Sequence, residues 1–151
     1  MKNILIASDH AGFRLKERLK DYLSRKGFCV KDLGVHEEER CDYPLYAASL
    51  ARLISSGKSK KGILICKSGI GNSIVANRFP RVRAALCYNL KAARLSREHN
   101  DSNVLVLGSA FMKKGLAEKI VSVWLDTSFQ GGRHARRLSL IRKIEKEIGA
   151  G

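Results

Sequence analysis

Short aliphatic runs recur along the chain, each cut off by polar or glycine-rich residues and each followed by apolar positions at helical spacing. Ile4-Leu5-Ile6-Ala7 is the first; it stops at Ser8-Asp9-His10-Ala11-Gly12, after which Phe13, Leu15, Leu19, Tyr22 and Leu23 mark a helix. Gly27 ends that helix, Phe28-Cys29-Val30 resumes extended structure and Asp32-Leu33-Gly34 closes it. A charged loop over residues 35–44 leads to a helix predicted from about Leu45 to Ser55, with Asp42 as N-cap, Pro44 in the first turn and Gly57 as stop. Ile63-Leu64-Ile65 is the third run. Pro80 precedes a fourth strand at Val82-Arg83-Ala84-Ala85-Leu86. Asn89 then caps a helix through Ala92, Leu95 and Ser96 that runs into the polar stretch 97–103. Val104-Leu105-Val106-Leu107 is the fifth run, and helices over about Lys113–Leu125 and Arg133–Ile148 finish the chain.

Strands that read as continuous apolar runs, alternating with amphipathic helices, are buried on both faces. The expected fold is therefore α/β: one doubly wound, Rossmann-like, five-stranded parallel sheet with helices on both faces, in a single domain spanning residues 1–151. Ligands of such folds sit outside the carboxyl ends of the strands, near a switch in strand order. The loops after strands one, three and five hold Asp9-His10, Cys66–Gly71 and Gly108-Ser109, and His99-Asn100 lies on the approach to strand five.

The third of these loops is the most informative. An apolar run ends at Cys66, and Lys67-Ser68-Gly69-Ile70-Gly71 leads into a short helix. A helix start favours negative charge, so the loop suits an anionic ligand, a thiolate or both. The dipole and Lys67 predict a lowered thiol pKa. The thiol can serve as nucleophile or as general base, and the loop amides can cradle a phosphate or an oxyanion such as an enediolate. Neither G-x-x-x-x-G-K-[ST] nor G-x-G-x-x-G is present.

Charge adds an anionic partner to this picture: 29 basic against 14 acidic residues give a net charge of +15. Arg133, Arg136 and Arg137 share one helix face directly after Gly131-Gly132, where like charges repel and oppose the dipole, so an anion or a neighbouring subunit's carboxylate is expected beside them. His10, His99 and His134 fall in polar, loop-like contexts, whereas His36 reads as a solvated surface residue. Basic residues are not interleaved with stacking aromatics, which makes a nucleotide- or nucleic-acid-binding module the secondary reading. The four cysteines lack paired metal-ligand spacings, and no run approaches a membrane span; a reduced cytoplasm is the expected setting, with no metal and no membrane association.

The sequence resembles the ribose-5-phosphate isomerase type B family, which includes the galactose-6-phosphate isomerase subunits. The likeness rests on Ser8-Asp9-His10-Ala11-Gly12-Phe13, Asp42-Tyr43-Pro44, Gly62–Cys66 with Ser68-Gly69-Ile70-Gly71, Ala76-Asn77, Ser96–Asp101 and Gly131-Gly132-Arg133-His134. It implies a cofactor-free aldose–ketose isomerase of the pentose phosphate pathway. The enzyme would act on ribose 5-phosphate through an enediolate, or alternatively on a six-carbon sugar phosphate. A homodimer, or a dimer of dimers, with active sites shared between subunits is implied too. By the same resemblance Cys66 is the base, His99 assists ring opening, and the amides of Ser68, Gly69, Ile70 and Gly71 steady the enediolate. Asp9 and Asn100 contact sugar oxygens, and His10, Arg133 and Arg137 hold the phosphate. Some positions depart from the family: Ser68 stands where it usually has Thr, Ala110 where many relatives have Arg, Lys67 replaces a small residue and can contact substrate, and Asn72 replaces an apolar one.

Overall fold

The computed structural model describes residues 2–149; Met1, Ala150 and Gly151, the ends of the expected single domain, lie outside them. Five parallel strands form one sheet in the order β2-β1-β3-β5-β4: β1 Lys2–Ser8, β2 Phe28–Asp32, β3 Gly62–Cys66, β4 Ala84–Leu86 and β5 Val104–Gly108. The expected α/β class is what the structure has. Side chains alternate across the pleat, and both faces are covered. Ile4, Ile6, Ile63, Ile65, Leu105 and Leu107 meet α1 (Phe13–Arg25), α4 (Leu90–Asn100) and α5 (Leu116–Asp126). Leu5, Ala7, Leu64, Val104 and Val106 meet α2 (Tyr43–Ser55) and the residues around α3 (Ile70–Ala76). A last helix, α6 (Arg133–Gly149), buries only His134 and Leu138.

Several local expectations need correction. The fourth strand is shorter than Val82–Leu86: the Arg83 backbone amide donates to Asn103 Oδ1 at 2.8 Å and so is not paired with a neighbouring strand. Helix α5 begins at Leu116 rather than Lys113, since Gly115 turns the chain with φ 81°. Asp42 occupies the N-cap position of α2 without a side-chain bond, whereas Asn89 caps α4 as expected, accepting from the Ala92 amide at 2.8 Å. The largest difference is at Arg97–Asn100, which continues α4 instead of forming a loop; Asp101, at φ 44°, ends the helix.

That extension is stabilised by a buried network. Arg97 donates to Asp101 Oδ1 at 2.8 Å and to the Ser102 carbonyl at 2.6 Å, while Trp124 Nε1 donates to Ser102 Oγ at 2.8 Å. Arg97 is 8% exposed, so its charge needs these partners, and part of the charged motif is structural.

Candidate active site

The strand order reverses between β1 and β3, and Ser8 pairs with Ile65 there. Asp9 and Cys66, the next residues on each strand, therefore emerge side by side at the switch point. Both are buried, at 6% and 5% exposure. The Asp9 carboxylate accepts from the Gly12 amide at 3.1 Å and its own amide donates to the Ile65 carbonyl at 3.3 Å. Gly12 is required for this approach, because a Cβ would stand 2.7 Å from the Ile65 carbonyl oxygen.

The loop after Cys66 is held by backbone amides and by two tyrosine side chains. Gly69 adopts φ 84°, the left-handed conformation that glycine permits, and its amide donates to Cys66 Sγ at 3.2 Å. The Ile70 amide donates to Ser68 Oγ at 3.2 Å, and Tyr88 Oη donates to the Ser68 carbonyl at 2.8 Å. Gly71 abuts the Tyr43 ring and Gly108 abuts the Ser68 backbone, so neither position has room for a side chain. Tyr43 and Tyr88 were not among the expected site residues; the first belongs to the quoted Asp42-Tyr43-Pro44 motif, and the second has no sequence signal.

The expected lowering of the Cys66 pKa is overturned. Burial pushes the thiol up, assisted by the Asp9 charge, and the amides of Gly69, Asn72 and Ser68 oppose this without reversing it. Lys67 does not supply the expected relief because its side chain is exposed and lines a separate cavity. Asn72 is buried at 2% exposure with its side-chain oxygen unpartnered.

Two cavities meet at His10. One of about 890 Å³ is lined by Asp9, His10, Glu38, Arg40 and the segment Cys41–Leu45. The other, of about 570 Å³, is lined by His10, Arg14, Arg18, Lys67 and Ala110, among others. The Cys41 amide donates to His10 Nδ1 at 3.2 Å, which leaves the proton on Nε2 in the neutral ring.

The remaining expected residues are elsewhere. The Gly62 amide donates to the Asn103 carbonyl at 3.0 Å, so the end of α4 lies at the amino end of β3. Cys66 is four residues along that strand, on the order of 13 Å away at ~3.3 Å per residue. His99 is in the last turn of α4, and its ring stacks on His134 of α6 with centroids 4.2 Å apart. Burial, His99, Arg133 and Arg137 all lower the His134 pKa. Asn100 lines a groove with Leu138 and Ile141 of α6. Within one chain the structure thus brings Asp9, His10, Ser68, Gly69, Ile70 and Gly71 around Cys66, while the Lys67 side chain faces the cavity beyond His10. His99, Asn100, Arg133 and Arg137 belong to the opposite end.

A family profile described as ribose/galactose isomerase matches residues 4–141. The chain belongs to the ribose/galactose isomerase family. Among its relatives, ribose-5-phosphate isomerase B of Escherichia coli is 44% identical over 146 residues, covering 97% of this chain and 98% of the relative. The ribose-5-phosphate isomerase B of Clostridium thermocellum superposes with a TM-score of 0.94 at 46% identity, over 97% of this chain and 99% of the other. The corresponding Mycoplasma genitalium protein, whose crystal structure contains ribulose 5-phosphate, gives 0.92 at 41% identity over 96% and 97%. The loop around Cys66 thus belongs to a ribose/galactose isomerase whose neighbours include type B ribose-5-phosphate isomerases. Among the described residues no helix is long and apolar enough to cross a membrane.

Proposed function

We propose that this family member is an aldose–ketose isomerase that interconverts ribose 5-phosphate and ribulose 5-phosphate without a cofactor. The observation that carries this reading is the adjacency of Asp9 and Cys66, both buried and each following the paired Ser8 and Ile65 at the switch point, beside a glycine loop whose Gly69 amide reaches the thiol. Family membership and the sugar phosphate bound by the Mycoplasma genitalium relative support the substrate class.

In this mechanism the Cys66 thiolate takes the proton from C2 of the open-chain aldose, giving a cis-enediolate; the C2 hydroxyl proton passes to the neighbouring O1, and Cys66 returns its proton to C1, so that C1 becomes the hydroxymethyl carbon and C2 the ketone. A buried thiol of raised pKa is scarce as thiolate at neutral pH, but the thiolate it forms is the stronger base for a weakly acidic C–H. Amides of the Ser68–Gly71 loop steady the developing oxyanion, since preorganised donors need little reorganisation. Asp9 receives sugar hydroxyls, and His10, through its free Nε2–H, donates to the phosphate.

His99, Asn100, Arg133 and Arg137 are placed at the far end of the same chain, so in this reading they come from a second copy. The active unit is then a homodimer with shared sites. His99 opens the sugar ring, Asn100 contacts sugar oxygens, and Arg133 and Arg137, which make no ion pair among the described residues, face the phosphate. Incubating ribose 5-phosphate in deuterated water tests the central step. Wild type incorporates deuterium at C2, and Cys66→Ala loses this by about 10²–10⁴-fold, the usual worth of a positioned base. Undiminished exchange in the variant removes Cys66 from the role.

A further inference from the structure

The cavity beyond His10 is a basin of cations. Arg14 and Arg18, one turn apart on α1, and Lys67 of the glycine loop converge on it, and among the described residues no carboxylate lines it. Its floor is kept open by small residues: the Ala110 amide donates to the Lys67 carbonyl at 3.0 Å, and Ser109 Oγ donates to the Ala11 carbonyl at 3.0 Å. Arg14 has Glu38 beside it at 2.9 Å, whereas Arg18 and Lys67 have no ion pair among the described residues. Three cations sharing one concave surface raise each other's energy unless an anion joins them.

We propose that Arg18 and Lys67, with Arg14 behind them, form a same-chain cradle for the phosphomonoester of the substrate. This rests on the sugar-phosphate reading above. His10 is the wall common to both cavities, and its Nδ1 is held on the Cys41 side, so Nε2–H is the nitrogen free to donate. A substrate with its carbon chain beside Asp9 and Cys66 passes His10 and places its dianionic end in the basin. Lys67 follows Cys66 directly in the chain, so the backbone that delivers the thiol also delivers a positive charge to the other end of the substrate. Lys67 thereby acts on binding rather than on the thiol. In this chain it supplies positive charge beside Ala110, a position with none of its own.

The test compares wild type with Arg18→Ala, Lys67→Ala and the double variant, using exposed positions whose truncation leaves the core intact. Lys58→Ala, in the lysine cluster at the amino end of the sheet, controls for general loss of charge. Two readouts are taken: KM and kcat for ribose 5-phosphate, and direct calorimetric binding of inorganic phosphate. Each single variant is expected to raise KM about threefold and the double variant about tenfold. kcat changes little, because the lost contacts serve ground and transition states alike. Phosphate affinity falls in parallel, and Lys58→Ala changes neither. Equal phosphate binding by wild type and the double variant overturns the cradle, as does an equal KM rise in Lys58→Ala. Absence of turnover in wild type refutes the isomerase reading instead, and the phosphate titration still decides the cradle.

Discussion

The two ends of the sheet are built by different means. At the carboxyl end, close backbone approach does much of the positioning of Asp9, Cys66 and the loop after it: Gly12 lies against Ile65, Gly69 against Leu107 and Gly108 against Ser68, with Tyr43 and Tyr88 alongside. At the amino end the positioning is done by side chains, through the Arg97–Asp101–Ser102–Trp124 network and the His99–His134 stack. The first end gathers reactive groups around cavities open to a ligand. The second leaves Arg133, Arg136 and Arg137 on an exposed helical face, with no ion pair among the described residues. Each holds what the other lacks, which is the arrangement expected when a two-fold axis brings one end of one protomer to the other end of its mate.

The most decisive way to break this complementarity is to divide it between chains. Cys66→Ala and His99→Ala are each expected to lose most isomerase activity. In the proposed homodimer, mixing the two variants through denaturation and refolding gives dimers of which about half are hybrids, each holding one site with both groups intact. Activity should return to about a quarter of wild type. No recovery, with mixed dimers demonstrated by differential tagging, would mean that His99 and Cys66 do not act in one site.

A smaller effect tests the backbone side of the comparison. Gly108→Ala has no conformational difficulty, since Gly108 has an extended φ of −105°. The obstacle is space: the new Cβ meets the Ser68 backbone, which cannot rotate away as a side chain would. Overpacking of this kind costs about 1–3 kcal/mol, and the loop carrying Ser68 has to move. Expected outcomes are a denaturation midpoint lowered to that extent and a kcat reduced about tenfold, with dimerisation unchanged. A variant of normal kcat would show that the loop tolerates displacement.

This contrast also explains what was legible in the sequence. The strand–glycine loop–helix at Gly62–Ser73 could be read because the rules that fix it are local, and the adjacency of Asp9 and Cys66 follows once β1 and β3 are placed side by side. Two things were not legible. The Cys66 pKa direction depends on burial by the whole fold, which outweighs the local amides and leaves Lys67 aside. The end at which His99 lies depends on α4 running back along the sheet, and the polar run Arg97–Asn103 hid that continuation because Arg97 looks solvated until Asp101, Ser102 and Trp124 surround it.

The smallest expected effect concerns the amino end alone. His134 is buried against His99 beside Arg133 and Arg137, and its pKa is lowered first by burial and then by these positive neighbours. Its folded value therefore lies below its unfolded one, near 6.5. The unfolded chain binds the proton first as pH falls, so stability is full above about pH 6.5 and declines as acid passes through that value toward the folded pKa. The window is separate from that of Asp32, whose carboxyl is held low by Lys16 and Lys20 against its own desolvation, and which loses stability only below its ordinary value of 3.8. Denaturant midpoints at pH 7.5 and 5.5 should show a modest acid loss in wild type and less in His134→Gln, which keeps a polar side chain and cannot titrate. An equal acid loss in both proteins would assign the effect to another group and leave the stack a packing contact, without the electrostatic tension that an incoming phosphate would relieve.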